Sequence, residues 1–158
     1  MTEDARFEDG AERPLRLRAF DAEDLAVMAA LAQDAVFPGS EMTWQRRQRR
    51  FSILLNRFRW EDKTAAERRG RKPERVRSVL AIEDVSAIRS TGIDRSADTV
   101  YCLLDISFAQ GADGAGIVTL TLAGDGAIEV AVEVLELTLT DVTRPYVAPS
   151  GKAPDHPL

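Results

Sequence analysis

Residues 51–60 read Phe-Ser-Ile-Leu-Leu-Asn-Arg-Phe-Arg-Trp, and the other predicted elements are arranged around this stretch. In an extended chain, successive side chains point to opposite faces, and the first half of this stretch is apolar on both. That pattern is typical of a strand at the centre of a sheet. We therefore predict a central strand from Arg50 to Trp60, with Arg57 and Arg59 sharing one face near its end.

Helical segments are predicted on both sides of this strand. Before it, Asp21 is suited to cap a helix that runs to about Gln33, because its carboxylate can accept from a free backbone N–H of the first turn. After the strand, Thr64 and Glu67 match a Thr-x-x-Glu capping box that Gly70 follows, which predicts one or two helical turns. The apolar residues of the first helix recur every three or four positions and predict one buried stripe: Leu25, Met28, Ala29, Ala32 and Val36.

Alternating apolar residues predict the remaining strands: 15–19, 42–45, 75–82, 85–93, 100–108, 117–122 and 128–134. Glu83 and Asp84 are expected to form a tight turn, and residues 124–126 a hairpin turn. Cys102 falls on the apolar face of its strand. The parity of the apolar series changes after Val134, so either a bulge lies there or the chain converts to a helix; β-branched residues favour the bulge.

These elements predict an α+β, mainly β fold. Seven to nine strands with short connections favour antiparallel pairing, in a small barrel or two packed sheets with one N-terminal helix. A pleckstrin-homology-like half barrel is a specific alternative, and it requires a helical last segment. We expect a flexible leader over residues 1–13, a single globular domain over 14–145 and a disordered tail over 146–158.

The composition is that of a soluble globular protein: 158 residues, of which 30% are charged and 44% hydrophobic. The single cysteine excludes an intramolecular disulfide and a zinc site built from several thiolates. No apolar run approaches the roughly 18 residues of a transmembrane helix. The acidic N-terminus lacks the hydrophobic region of a signal peptide, so we predict a cytoplasmic protein.

Basic residues concentrate in the middle of the chain. Residues 44–77 hold thirteen Lys and Arg against four Asp and Glu, a local charge of +9; the whole chain carries −5, so the remainder sums to −14. Arginine suits bidentate contacts with phosphate or carboxylate, and aromatic rings can stack on bases. We predict a basic-aromatic binding surface for an anionic partner, nucleic acid or acidic protein, formed by Arg57, Arg59, Trp60, Arg68, Arg69, Arg71 and Lys72.

A plainer interpretation of the same charges competes with this one. Strand alternation sends neighbouring arginines to opposite faces, and the acidic remainder can pair with them inside the fold. Trp44 and Phe58 are typical core residues. Asp141 and Arg144 are expected to form a local ion pair of small energetic weight.

Several runs carry a family resemblance: residues 17–25, 33–35, 56–61 (Asn-Arg-Phe-Arg-Trp-Glu), 75–80, 92–95 and 140–145. They resemble an uncharacterised bacterial family, domain of unknown function 2948. The resemblance covers most of residues 15–145. It implies a stand-alone cytoplasmic bacterial protein, and it brings no activity, cofactor or catalytic residue that could be transferred to this chain.

Catalytic machinery is hard to assemble from these residues. The only histidine, His156, lies in the predicted tail, so no histidine-based triad or metal site follows, and Cys102 is expected to be an inert buried thiol. Gly111, Gly114 and Gly116 lack the spacing of a dinucleotide-binding motif. We predict a non-enzymatic binding or adaptor domain without cofactor or metal. The alternatives are a homo-oligomeric structural protein without a ligand and a carboxylate-based enzyme.

Overall fold

Strands make up most of the molecule in the computed structural model, which describes residues 13–94 and 99–148. Within those ranges the helices are α1 (Ala22–Ala32) and α2 (Lys63–Arg68), with short 3₁₀ turns at Gly39–Glu41, Trp60–Asp62 and Ala112–Gly114. The strands are β1 (Arg16–Ala19), β2 (Val36–Pro38), β3 (Met42–Gln45), β4 (Arg50–Phe58), β5 (Glu74–Ile82), β6 (Val85–Thr91), β7 (Val100–Gln110), β8 (Gly116–Leu122), β9 (Ala127–Val132), β10 (Leu137–Asp141) and β11 (Tyr146–Val147).

All of these strands join one open antiparallel sheet. The order is β1-β10-β5-β4-β2-β7-β8-β9-β6, with β11 added to β5 and β3 to β4. The mainly β, antiparallel prediction is confirmed. The described residues contain eleven strands instead of seven to nine. The excess arises because β2 and β11 are too short to show alternation and because β10 is separate from β9.

Strand β4 occupies the centre that the sequence predicts for it, since it pairs with β2, β3 and β5. Phe51, Ile53 and Leu55 are buried on one face. The strand ends at Phe58 instead of Trp60. Its extended backbone stops at Arg59, where ψ is 76° and the chain enters a 3₁₀ turn.

Helix α1 forms as predicted. The backbone N–H of Asp24 donates to Asp21 Oδ1 at 2.8 Å, which is the expected N-cap. The predicted stripe is buried except for its last member, because Val36 lies in β2 beyond the end of the helix.

Helix α2 is short, as the sequence predicts, but its capping box is not formed. Asp62 occupies the N-cap position, so Thr64 lies inside the first turn and cannot act as the cap. Gly70 ends the helix as expected. Its φ of +66° is a left-handed conformation that glycine adopts without strain.

One hydrophobic cluster draws residues from the whole sheet. Ile53 and Ile82 come from β4 and β5, while Leu120 and Val130 come from β8 and β9 at the other end of the strand order. The buried stripe of α1 belongs to the same cluster. The two ends of the sheet therefore share a single core.

Strand β7 changes the face that it buries part-way along its length. Tyr101 and Leu103 are buried, and so is Ile106, which has the other parity. The register between β7 and β8 shifts between Leu103 and Asp105, where β7 gains one residue. The prediction of one continuous apolar face through Cys102 is therefore wrong, and Cys102 lies half-buried on the side opposite Tyr101 and Leu103.

The apolar parity changes after β9 because that strand ends. Residues 133 and 134 form a bend, and β10 begins at Leu137 and pairs with β1 and β5. The predicted bulge or helix at Val134 is wrong. Residues 137–141 form a strand, so they do not supply the helical segment that a pleckstrin-homology-like half barrel requires.

The predicted leader and tail fall mostly outside the described ranges. Residues 1–12 and 149–158, which include His156, are not described. Tyr146 and Val147 pair with β5, where the sequence predicts the start of a disordered tail. That part of the tail prediction is wrong.

Candidate anion-binding surface

The predicted binding residues lie in the segment that connects β4 to β5, but they do not share one environment. Arg57 is completely buried, and Arg59 is 6% exposed. Trp60 is half-buried. Arg68, Arg69, Arg71 and Lys72 are exposed. The expectation that Arg57 and Arg59 lie on an exposed surface is therefore wrong.

Arg57 is held by two carboxylates and one hydroxyl inside the protein. Its Nε donates to Asp141 Oδ1 at 3.0 Å and to Ser78 Oγ at 3.1 Å, and its Nη2 donates to Asp141 Oδ2 at 3.0 Å. Glu61 accepts from Nη1 at 3.0 Å and from Nη2 at 2.7 Å. Burial by itself lowers the pKa of Arg57, but the hydrogen bonds that Arg57 donates to Glu61 and Asp141 outweigh it and raise that pKa above its ordinary value.

Asp141 joins four strands through this cluster. Besides Arg57 of β4, it accepts from the Ser78 hydroxyl of β5 at 2.6 Å and from the backbone N–H of Leu15, just before β1, at 2.9 Å. Asp141 itself ends β10. The predicted local pair of Asp141 with Arg144 is replaced by this long-range network.

A second network closes the β4–β5 connection. Arg59 Nη1 lies 2.6 Å from Glu74 Oε1 and 3.5 Å from Asp62 Oδ2. Arg71 Nη1 lies 3.2 Å from the same Asp62 oxygen, and the hydrogen bond with Asp62 raises the pKa of Arg71. Two guanidinium groups thus meet two carboxylates, so Arg59 and Arg71 are neutralised within the chain.

Trp60 is an anchor of this connection. Its indole Nε1 donates to the carbonyl of Gln33 at 2.9 Å, at the end of α1. Its ring packs edge-on against Phe58 with centroids 4.7 Å apart, and Lys63 Nζ lies 5.6 Å from the ring centroid. The predicted stacking role for Trp60 therefore competes with contacts that the ring already makes inside the protein.

The exposed cations that remain from the predicted set lie at the end of α2 and directly after it. Arg68, Arg69 and Lys72 form no ion pair with any residue that the structure describes, and we call residues 68–72 the basic loop. The backbone N–H of Arg71 donates to the carbonyl of Ala66 at 2.8 Å, which fixes the loop against the helix end. These cations lie next to the negative end of the helix dipole, where positive charge is favoured.

Two other exposed arginines of the basic segment lie far from this loop. Arg46 and Arg47 are exposed in the turn between β3 and β4. The register pairs Phe51 with Ile82 at that end of the β4–β5 ladder and Phe58 with Arg75 at the other. At about 3.3 Å per residue, roughly 23 Å separates the two ends. The basic segment 44–77 therefore does not form one continuous surface.

The predicted chemistry outside this segment is sparse. Cys102 Sγ lies 3.9 Å from Asp34 Oδ1, and burial together with this carboxylate raises the pKa of the thiol. Such a thiol is a poor nucleophile. Glu83, Asp84 and Glu136 line one groove, but Glu83 is bound by Arg50.

Within residues 13–94 and 99–148, no group of His, Cys, Asp and Glu side chains is arranged to hold a metal ion. Neither α-helix of that described part has the length and apolar character that crossing a membrane requires.

A family model described as "Protein of unknown function (DUF2948)" matches residues 15–156, which confirms the predicted resemblance. No curated protein matches, and no solved structure matches.

The partners of Arg57 were not predicted from the sequence. Glu61 follows Arg57 by four residues, and Asp141 lies 84 residues away, so only the strand order brings all three together. The runs 56–61 and 140–145, which carry the family resemblance, contain all three. Their presence in these runs was the one feature of the sequence that pointed to a network of the three residues.

Proposed function

We propose that this chain, which belongs to the DUF2948 family over residues 15–156, is a non-enzymatic binding module that takes an anionic partner on its basic loop. One observation supports the proposal. Arg57, Arg59 and Arg71 are neutralised by carboxylates of the same chain, whereas Arg68, Arg69 and Lys72 are exposed without an ion-pair partner among the described residues.

The two networks explain why the basic loop is presented in a fixed place. A buried guanidinium is tolerated only where hydrogen-bonded carboxylates compensate its loss of water. Arg57 and Arg59 meet that condition at the end of β4, and the Arg59–Glu74 contact ties the two ends of the β4–β5 connection together. The loop therefore projects from a rigid base, which reduces the entropy lost when a partner binds.

The partner is recognised by charge more than by base stacking. The Trp60 ring is already in contact with Phe58 and Lys63, and its N–H is bonded to Gln33. Three exposed cations on a loop suit a phosphate backbone or an acidic protein face, and such binding weakens steeply with added salt.

The test measures binding of a fluorescent single-stranded oligonucleotide and of fluorescent poly-glutamate at low salt. The double variant Arg68→Gln, Arg69→Gln is compared with Arg46→Gln, Arg47→Gln, which removes the same charge from the other end of the β4–β5 ladder. We expect the first variant to lose most of the affinity and the second to retain it. Equal affinities for both variants, or no binding of either polyanion by the wild type, overturn the proposal.

A homo-oligomer without a ligand is the second candidate. The acidic remainder of the chain, with a charge of −14, complements the basic segment of a neighbouring copy. Size-exclusion chromatography at low and high salt separates the two candidates, since only the oligomer dissociates as salt is added. A carboxylate-based enzyme is the third candidate, for which the groove of Glu83, Asp84 and Glu136 is the place to look.

The finer features of the scaffold are proposals as well. The single core cluster, which takes residues from β4–β5 and from β8–β9, supports one open sheet whose two ends pack face to face instead of a closed barrel. The resemblance stated from the sequence supports a bacterial, cytoplasmic protein.

A further inference from the structure

A row of side chains crosses four strands on the face of the sheet that points away from the core. Cys102, Val36, Asn56 and Arg77 are successive cross-strand partners on β7, β2, β4 and β5. The neighbouring odd-numbered residues of β4 enter the hydrophobic core, so Asn56 and its row lie on the opposite face.

A groove of about 240 Å³ lies along this row. Its apolar walls come from Val36, Pro38, Leu54 and Val100, and Val100 is 62% exposed. These side chains give the groove an apolar wall beside its polar residues. The volume is below the roughly 300–1,000 Å³ of pockets for drug-sized ligands, so the groove suits a smaller molecule.

One cation lines the apolar groove. The backbone of Arg77 is fixed, because its N–H donates to Thr143 Oγ1 at 3.1 Å and its carbonyl accepts from Val142 at 2.8 Å. Its guanidinium is exposed, and no described residue forms an ion pair or hydrogen bond with it. It contrasts with Arg75, two residues earlier, which donates to the carbonyl of Asn56.

We infer that this groove binds a small aliphatic monocarboxylate, with the carboxylate on Arg77 and the aliphatic chain on Val36, Leu54 and Val100. A planar guanidinium matches a carboxylate with two parallel hydrogen bonds. Covering the exposed Val100 and its neighbours supplies the hydrophobic part of the binding free energy.

Two acceptors restrict the ligand to a single negative charge. Glu41 lines the same groove. The Oδ1 atom of Asn56 is buried without a donor among the described residues, while its Nδ2 donates to the Tyr146 hydroxyl. Since both Glu41 and Asn56 Oδ1 are electron-rich, they disfavour a second carboxylate or a chain of phosphates. This site is therefore distinct from the basic loop in the ligand that it selects.

The test uses hexanoate, with hexanol and adipate as probes that lack the charge or double it. Backbone amide shifts of the full chain, followed by NMR during each titration, report both affinity and location. We expect hexanoate to saturate with shifts at Val36, Leu54 and Val100, and hexanol and adipate to bind more weakly. Arg77→Gln should lower hexanoate affinity about tenfold or more, Arg77→Lys should retain part of it, and Arg46→Gln should match the wild type.

The proposal is overturned if hexanoate causes no saturable shifts at these positions, if adipate binds as well as hexanoate, or if folded Arg77→Gln binds hexanoate like the wild type. Loss of polyanion binding in Arg68→Gln, Arg69→Gln with hexanoate binding intact shows that the two sites are separate. The groove and the basic loop therefore succeed or fail independently.

Discussion

Replacing Asp141 with alanine should lower the free energy of unfolding far more than a substitution of an exposed residue does. The substitution removes two hydrogen bonds from Arg57, at 3.0 Å each, and the acceptor of Ser78 Oγ and of the Leu15 backbone N–H. Glu61 keeps its contact with Arg57, which limits the loss. Hydrogen bonds to charged groups contribute about 1.5–3 kcal/mol each, and breaking one side of a buried ion pair costs about 3–5 kcal/mol. We therefore expect the free energy of unfolding to fall by about 3–5 kcal/mol.

Urea denaturation followed by circular dichroism measures this change in free energy. For a domain of this size, a loss of about 3–5 kcal/mol also lowers Tm by roughly 6–20 °C. Glu133→Ala is the matched control, because the Arg49–Glu133 pair is exposed and should not affect stability measurably. The double variant Arg57→Met, Asp141→Leu should recover part of the loss, since it leaves no buried charge unpaired but still removes the acceptor of Ser78 Oγ and of the Leu15 N–H. A loss below about 1 kcal/mol in Asp141→Ala would refute the structural role of this network.

Three further predictions follow from single contacts. Trp60→Phe should lower the free energy of unfolding by about 1–2 kcal/mol, because the Gln33 carbonyl loses its donor; an unchanged urea midpoint contradicts that hydrogen bond. Gly70→Ala should cost about 1–2 kcal/mol, measured in the same way, because its φ of +66° is unfavourable for alanine; a stabilised variant contradicts the left-handed helix end. The Cys102 thiol should react with a disulfide reagent at a higher midpoint pH in the folded protein than in urea, because burial and Asp34 raise its pKa. The stability of the folded state therefore falls as pH rises past the pKa of the unfolded thiol. Equal midpoints in the folded protein and in urea contradict the raised pKa.

Sequence patterns correctly predicted those helices and strands whose formation depends on residues close together in the chain. The alternation through Phe51 and Leu55 located the central strand, and Asp21 located the start of α1, since both effects act within one strand or one helical turn. The positive φ at Gly70 also follows from a local preference.

The failures have a common physical origin in contacts between distant segments. The extra residue near Leu103 changes the buried face of β7 through its register with β8, which no alternation in β7 reveals. Arginine is rarely buried, and the carboxylate that permits the burial of Arg57 comes from a strand 84 residues later. The exposure of the loop residues was therefore predictable from the sequence, and the burial of Arg57 was not.

The salt dependence of oligonucleotide binding counts the cations of the protein that contact phosphate. For single strands, each cation that contacts a phosphate contributes about 0.7 to the slope of log affinity against log salt concentration. We predict that Arg68→Gln, Arg69→Gln reduces the magnitude of that slope by about 1.4 relative to the wild type, while Arg46→Gln, Arg47→Gln leaves it unchanged. Equal slopes for all three proteins would contradict the account of the basic loop as the binding surface.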